Sequence, residues 1–364
     1  MIEKNCIFHI PNHLNTKEVS GSQIRPLKMI SAFESNGYNV DVIMGYGKER
    51  QQQIRTVKNN IRNGKKYDFL YSESSTMPTL LTEKNHMPTY PFLDFSFFKF
   101  CKKNNIKIGL FYRDIYWKFP LYKKIVKKPL SWLAIMMYQY DLIQYKKLVD
   151  ILFLPSLKMQ KYIGKKAKCF STFALPPGAD DNNIENIRND LFTLLYVGGI
   201  KRNLYDLTTL LKAIASNEKI TLYLCCRENE WNEEKSYYTQ FLTNRVKIIH
   251  TSGTGLIPYY QKADMCCLIT NVSEYRSFAM PIKLFEYLSY EKPILITEGS
   301  VSAEFVKQNQ IGFVVQNDVQ DVKAKLDFLS NNHEQIEALN EQIHLVHKQN
   351  TWSERAKTVI ALLK

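Results

Sequence analysis

At 364 residues the chain exceeds the size at which a single hydrophobic core usually stops growing, so two domains of ordinary size are expected. Its 45% apolar and 23% charged residues, without repeat or low-complexity tract, exclude extended disorder. The net charge of +14 is unevenly placed: residues 1–170 carry 29 Lys and Arg against 12 Asp and Glu, whereas residues 171–364 carry 20 against 23. A basic first half favours an anionic partner, whether nucleic acid, an acidic membrane leaflet or a phosphorylated substrate.

The seven cysteines are odd in number, and Cys225-Cys226 and Cys266-Cys267 lie in apolar, strand-like runs without metal spacing, so they read as reduced core residues. The start, Met1-Ile2-Glu3-Lys4-Asn5, lacks the apolar core of a secretory signal, and no run reaches the roughly 18 apolar residues that span a bilayer. A cytoplasmic protein is expected.

Cys6–Ile10 reads as a strand, followed by a polar loop ending in Gly21-Ser22, a helical pattern from Arg25 to Ser35, Gly37 and a second strand, Val40–Met44. Strands are further predicted over Phe69–Tyr71, Ile106–Tyr112 and Ile151–Leu154, giving a doubly wound parallel sheet. Around Leu175-Pro176-Pro177-Gly178-Ala179-Asp180 the chain becomes turn-forming and acidic. The alternation then restarts: strand Phe192–Val197, helix Leu204–Ala215, strands Thr221–Cys226 and Val246–Ile249, helix Pro258–Ala263, strand Met265–Ile269, helix Ile282–Ser289 and strand Pro293–Thr297. The predicted organisation is α/β: a first Rossmann-like domain over 1–172, a linker over 173–190, a second such domain over 191–345, and a helix over 346–364 packing back toward the first. Two such domains in tandem would place the carboxyl ends of both sheets at one cleft, where open α/β sheets bind ligands.

The strongest local signal runs from Met280 to Gly312. Pro281 starts a helix with Lys283 in its first turn and Glu286 one turn on, and a buried strand and Glu298-Gly299-Ser300 follow. Unpaired N–H groups at a helix start, joined by a lysine, make a diphosphate cradle, and an ionised Glu286 suits the hydroxyls of a ribose. Helix physics alone also allows an N1 proline followed by a solvated lysine.

The run Pro281-Ile282-Lys283-Leu284-Phe285-Glu286-Tyr287-Leu288, with Lys292-Pro293-Ile294-Leu295, Glu304 and Ile311-Gly312-Phe313-Val314-Val315 after it, resembles the donor-binding signature of family 4 glycosyltransferases and their GT-B relatives. The resemblance extends to Leu175–Asp180, Tyr196-Val197-Gly198-Gly199, Tyr259–Asp264 and Thr351–Ala356, and in the first half to Gly21-Ser22-Gln23-Ile24-Arg25 and Gly37. It implies a GT-B fold and a nucleoside diphosphate that leaves as an acceptor hydroxyl attacks the anomeric carbon, with retained configuration and without metal or other cofactor. Lys283 would then meet the charge developing on the diphosphate. Gly198, Gly199, Met280, Pro281 and Ile282 would line the donor, and Gly21 and Ser22 would approach the sugar or phosphate; outside the resemblance Gly21 is more readily a turn.

Two departures from the family pattern stand out. Its usual arginine after the first glycine is Gly199, leaving Lys201 and Arg202 as substitutes or as plain surface residues, and Phe278 stands where the family often has a sugar-binding glutamate. The base is expected near Arg227 and His250-Thr251. At the edge of the first sheet, Asp114 and Arg113 are candidates for a sugar hydroxyl and an anionic acceptor, or for a pair that closes a loop. Glu73, after the Phe69–Tyr71 strand, and Arg25 are the other acceptor candidates. His344-x-x-His347 has no third ligand in view, and no metal is assigned.

Between Tyr116 and Lys147, Lys118, Lys123, Lys124, Lys127, Lys128, Lys146 and Lys147 mix with Trp117, Trp132, Met136, Met137, Tyr138 and Tyr140. A basic aromatic helix pair suits an anionic membrane surface, each lysine adding about 1 kcal/mol. Alternatively, Trp132–Met137 packs on the sheet and the lysines are solvated. The expected protein is a hexosyltransferase at the inner face of the plasma membrane, moving sugar from a UDP-sugar to a lipid-linked or polysaccharide acceptor, as in capsule or O-antigen synthesis, and not binding nucleic acid. The alternatives are a GT-B nucleotide-sugar epimerase and a catalytically silent GT-B subunit.

Overall fold

The computed structural model describes residues 3–14, 21–164 and 170–364. The loop before Gly21, the side chains of Gly21 and Ser22, Cys169 and the first two residues lie outside what it describes.

Two compact units form. The first comprises the chain through Pro177 together with Trp352–Lys364, and the second comprises Gly178–Thr351. The stretch expected as a linker over 173–190 is therefore divided between them, and the returning helix begins at Trp352 rather than 346.

In the first unit the elements run β1 (Lys4–His9), α1 (Gly21–Ser35), β2 (Tyr38–Ile43), α2 (Gly47–Arg62), β3 (Phe69–Glu73), α3 (Leu93–Lys103), β4 (Lys107–Phe111), α4 (Pro120–Ile125), α5 (Leu130–Leu148), β5 (Ile151–Leu154), α6 (Gln160–Ile163) and β6 (Ser171–Ala174). The strands pair in parallel in the order β2-β1-β3-β4-β5-β6. Parallel strands require crossovers, and the helices that supply them cover the sheet, which is why β3 and β5 are buried throughout. Ser72 and Glu73 end β3 rather than following it, because Ser72 and Glu73 keep register with Leu110 and Phe111 of β4. The strand order reverses between β1 and β3, so their carboxyl ends form the switch-point edge of this sheet, the kind of place where open α/β sheets bind ligands.

The second unit continues with β7 (Phe192–Val197), α7 (Arg202–Tyr205), α8 (Thr208–Ala215), β8 (Ile220–Cys225), α9 (Glu228–Tyr238), β9 (Val246–Ile249), α10 (Ile257–Lys262), β10 (Met265–Leu268), α11 (Ile282–Ser289), β11 (Ile294–Thr297), α12 (Val301–Gln308), β12 (Gly312–Val315), α13 (Val319–Asn331), α14 (Glu334–Glu337) and α15 (Asn340–Gln349). Its parallel order is β12-β11-β10-β7-β8-β9, reversing between β7 and β10. Successive β7 residues feed opposite faces: Leu194 and Tyr196 join the core under α8 and α13, and Leu195 joins the one under α11. The single helix expected over Leu204–Ala215 is broken, since the Asp206 carboxylate takes the Thr208 N–H at 2.9 Å and restarts the turn.

The last helix, α16 (Trp352–Leu363), completes the first unit. Asn36 donates to Ser353 Oγ at 3.0 Å, and Leu363 lies where a side chain on Gly109 would stand, so this strand glycine is the seat of the returning helix.

Candidate functional site

β7 ends in Tyr196-Val197 and turns at Gly198, whose φ of +149° is open to glycine and strained for other residues. Gly198 N–H donates to Cys225 O at 2.9 Å, which ties the turn to the end of β8. α11 starts opposite, with Pro281 as its N-cap rather than N1, and carries Lys283 in its first turn. Lys283 Nζ donates to the Tyr196 hydroxyl at 3.3 Å and lies 4.7 Å from the Tyr196 ring centroid and 4.8 Å from that of Tyr205.

Arg276 shares this nest. Its Cζ is 4.5 Å from the Tyr205 ring centroid, and its Nη1 donates to the Leu204 and Asn271 carbonyls. Among the described residues no carboxylate forms an ion pair with Lys283 or Arg276. Desolvation, reinforced by the Arg276 charge, pulls the Lys283 ammonium down to about 7. Two cations held by aromatic faces and carbonyls, with no ion-pair partner among the described residues, leave charge available to an anion from solution.

Glu286, one helical turn beyond Lys283, is partly buried; burial lifts its carboxyl above the usual range while the Lys283 charge opposes the shift. Met280 is buried, whereas Pro281 and Ile282 are partly exposed. Phe278 is buried too, edge-on to Tyr275, and its ring has no polar group to offer a sugar.

Lys201 and Arg202 are engaged elsewhere. Lys201 pairs with Glu233 at 3.0 Å and Arg202 with Glu234 at 2.7 Å, both against α9, and Arg202 also stacks over Tyr237. Gly199 lets Glu230 close in: a side chain there would stand 3.1 Å from the Glu230 carboxylate, which accepts from Ile200 N–H at 3.1 Å and pairs with Arg227. His250 bonds the Cys226 carbonyl at 3.0 Å, and the Thr251 carbonyl accepts from the Cys225 thiol, so Arg227, His250 and Thr251 gather where β8 and β9 end. Sequence reasoning missed Arg276 because it lies in an irregular, polar stretch with no periodicity. Its closeness to Met280 was the one available signal.

In the first unit, Arg25 on α1 and Arg113 after β4 both reach Glu73. Asp114 Oδ1 accepts from the Ile115 and Tyr116 N–H groups at 2.6 and 3.0 Å, closing the turn after β4 as an Asx cap. Beside them His9 bridges Ser72 and Asp94 at 2.9 Å each, and Arg50 grips Asp94 through Nε and Nη2. This second network is buried and fastens α2 and α3 to the strand ends.

The basic stretch divides into two faces. Trp117 is core, stacked on Tyr138 at 5.0 Å, so it leaves the surface set. Leu130, Trp132, Leu133 and Met136 at the start of α5 are exposed, next in sequence to exposed Lys123, Lys124, Lys127 and Lys128. Trp132 does not pack on the sheet, because Ser131, Ala134, Tyr138, Asp141 and Tyr145 occupy the buried side of the helix. Among the described residues, no helix is long and apolar enough to cross a membrane, and no group of three metal-binding side chains occurs. His344 and His347 both meet Glu291, at 2.6 and 3.0 Å.

Residues 194–356 match the model of the glucosyltransferase 3-like, C-terminal domain family. No curated protein matches the chain. Among solved structures, sucrose-phosphate synthase of Thermosynechococcus elongatus is similar at 13% identity and a TM-score of 0.67, over 99% of this chain and 98% of that one. Anabaena HepE in complex with UDP is similar at 12% identity and a TM-score of 0.65, over 99% of both chains. A glycosyltransferase of Rickettsia africae gives 14% and 0.63, over 100% of this chain and 98% of that one. At such identities the likeness is one of fold, and the chain has the two-domain α/β fold of GT-B proteins.

Proposed function

We propose that the protein is a retaining glycosyltransferase that takes its sugar from a UDP-sugar, needs no metal or other cofactor, and works on a lipid-linked or polysaccharide acceptor. The observation that carries this reading is the pair Lys283 and Arg276, two cations that form no ion pair among the described residues, at the switch point of the second sheet. In the reaction the bond from the anomeric carbon to the diphosphate breaks, the acceptor oxygen bonds that carbon, and the acceptor proton leaves with the released products. Negative charge grows on the diphosphate, and preorganised cations lower that barrier without reorganising. The α11 N–H groups and Gly198 lie beside the same point, Glu286 suits the ribose hydroxyls, and the His250 and Thr251 region receives the base. HepE, whose structure holds UDP, and the glucosyltransferase family match over this unit support the choice of donor.

The exposed apolar start of α5 and the lysines beside it suit an anionic membrane, which would bring the enzyme to a lipid-linked acceptor on the cytoplasmic face. Titration of the full chain with UDP, followed by incubation with labelled UDP-sugars and a membrane extract, tests the proposal. UDP binding and label transfer to the extract are expected. An isomeric nucleotide sugar formed without acceptor would make the protein an epimerase, and UDP binding without any sugar chemistry would make it a silent subunit.

A further inference from the structure

The carboxyl edge of the first sheet holds an arginine cluster that the donor chemistry leaves unused. Glu73 is fully buried and supplies its carboxylate: Arg25 Nε donates to one oxygen at 3.2 Å and Arg113 Nη2 to the other at 2.8 Å. Arg355, on the returning α16, adds a third guanidinium, with its Nε on the Pro177 carbonyl at 3.1 Å. Burial and then the Arg25 charge hold Arg355 down to about 10, so the like charges are close enough to be felt. Two cations thus pair with a single buried carboxylate, and a third guanidinium lies near enough to feel Arg25.

A buried ion triad that only braced the fold would have its donors satisfied. Here Arg25 Nη1 is buried and has no hydrogen-bond partner among the described residues, although the guanidinium is fixed by stacking 3.6 Å from the Phe111 ring centroid. Arg113 keeps 12% of its side chain exposed, which gives the cluster a side open to solvent. Guanidinium forks approaching from separate elements suit an oxyanion with several oxygens, as phosphate has.

We propose that Arg25, Arg113 and Arg355 bind a phosphate group, with Glu73 orienting the first two. That this phosphate belongs to the acceptor rests on the transferase reading; the anion site itself does not.

The test uses the full chain with UDP in saturating amount, so that the second unit is occupied, and titrates inorganic phosphate against sodium chloride of equal ionic strength. Phosphate is expected to raise the melting temperature beyond the chloride control. Arg113→Gln should weaken phosphate binding about tenfold or more, the scale of one charged hydrogen bond, while UDP affinity stays unchanged. Glu73→Gln removes the competing negative charge and should tighten phosphate binding, even where it lowers stability. That opposition guards against variants that merely unfold. Equal effects of phosphate and chloride, or an Arg113→Gln variant that binds phosphate normally, would overturn the site. Displacement of phosphate by glucose 1-phosphate marks a sugar phosphate and by a short-chain prenyl phosphate a lipid one; displacement by neither counts against an acceptor. Failure of UDP to bind would instead strike the donor reading and leave the phosphate result to be judged alone.

Discussion

Gly198 and Lys283 are fitted to each other: a methyl group on Gly198 would stand 2.4 Å from Lys283 Nζ. With φ at +149°, alanine is strained there whatever the space, at a cost of about 1–3 kcal/mol. Gly198→Ala is therefore expected to lower the melting temperature and, by displacing the ammonium, to weaken UDP binding roughly tenfold or more. Calorimetry with UDP reads the second effect, and unchanged affinity would show that the ammonium is not used.

Burying the Lys283 ammonium costs stability. Its native pKa is about 7 against an ordinary 10.5, so below pH 7 both folded and unfolded chains are protonated and the full penalty of burying the charge applies. Between about 7 and 10.5 the unfolded chain holds a proton that the native one has lost, so this group makes stability rise with pH. Lys283→Met should raise the melting temperature at pH 6 by the equivalent of about 1 kcal/mol, flatten the rise above pH 7 and abolish UDP binding. In the unaltered protein UDP binding above pH 7 should take up a proton, seen as a binding enthalpy that depends on the buffer.

The part of this site visible in the sequence was the part on regular elements. Ile282–Ser289 and Phe192–Val197 have the periods of a buried helix and strand, and both lie where those patterns place them. The partners of a cation are not periodic. Nothing in Gly198-Gly199-Ile200-Lys201-Arg202 announces that Glu233 and Glu234, some thirty residues on, hold both cations of that loop. Likewise Arg276 meets Lys283 across the ring of Tyr205, from a stretch without periodicity, and Asp114 caps its own loop. In the first half, β6 escaped notice because Ser171-Thr172-Phe173-Ala174 is short and mostly exposed, without the apolar run of the inner strands.

Arg276 should therefore matter more than the two cations of the glycine loop. Arg276→Gln is expected to weaken UDP binding about tenfold and to reduce turnover by a further factor of roughly ten or more, because in the proposed reaction its charge would act on the developing diphosphate. Lys201→Ala and Arg202→Ala break ion pairs whose cations are about half exposed, so each should change stability by about 1 kcal/mol or less and UDP affinity by less than about threefold. The opposite ranking in a binding series would return the second cation to the loop.

The α4–α5 surface gives the last prediction its two separable forces. Leu130 and Trp132, each about two-thirds exposed, and Leu133 and Met136 form an apolar start to α5, and the four lysines Lys123, Lys124, Lys127 and Lys128 precede it. Charge draws such a surface to anionic lipid at long range and is screened by salt, whereas apolar insertion is short-ranged and is not. Sedimentation with vesicles containing anionic lipid should be strong at low salt and reversed at high salt. Replacing two of the lysines by glutamine should remove about 2 kcal/mol of that attraction, while Trp132→Ala should leave the salt dependence in place and lower binding at every salt concentration. Because Trp132 and the lysines are exposed, neither change should alter the melting temperature or UDP affinity. Equal sedimentation with neutral vesicles would remove the lysines from the account, and loss of UDP binding in the Trp132 variant would remove the surface role altogether.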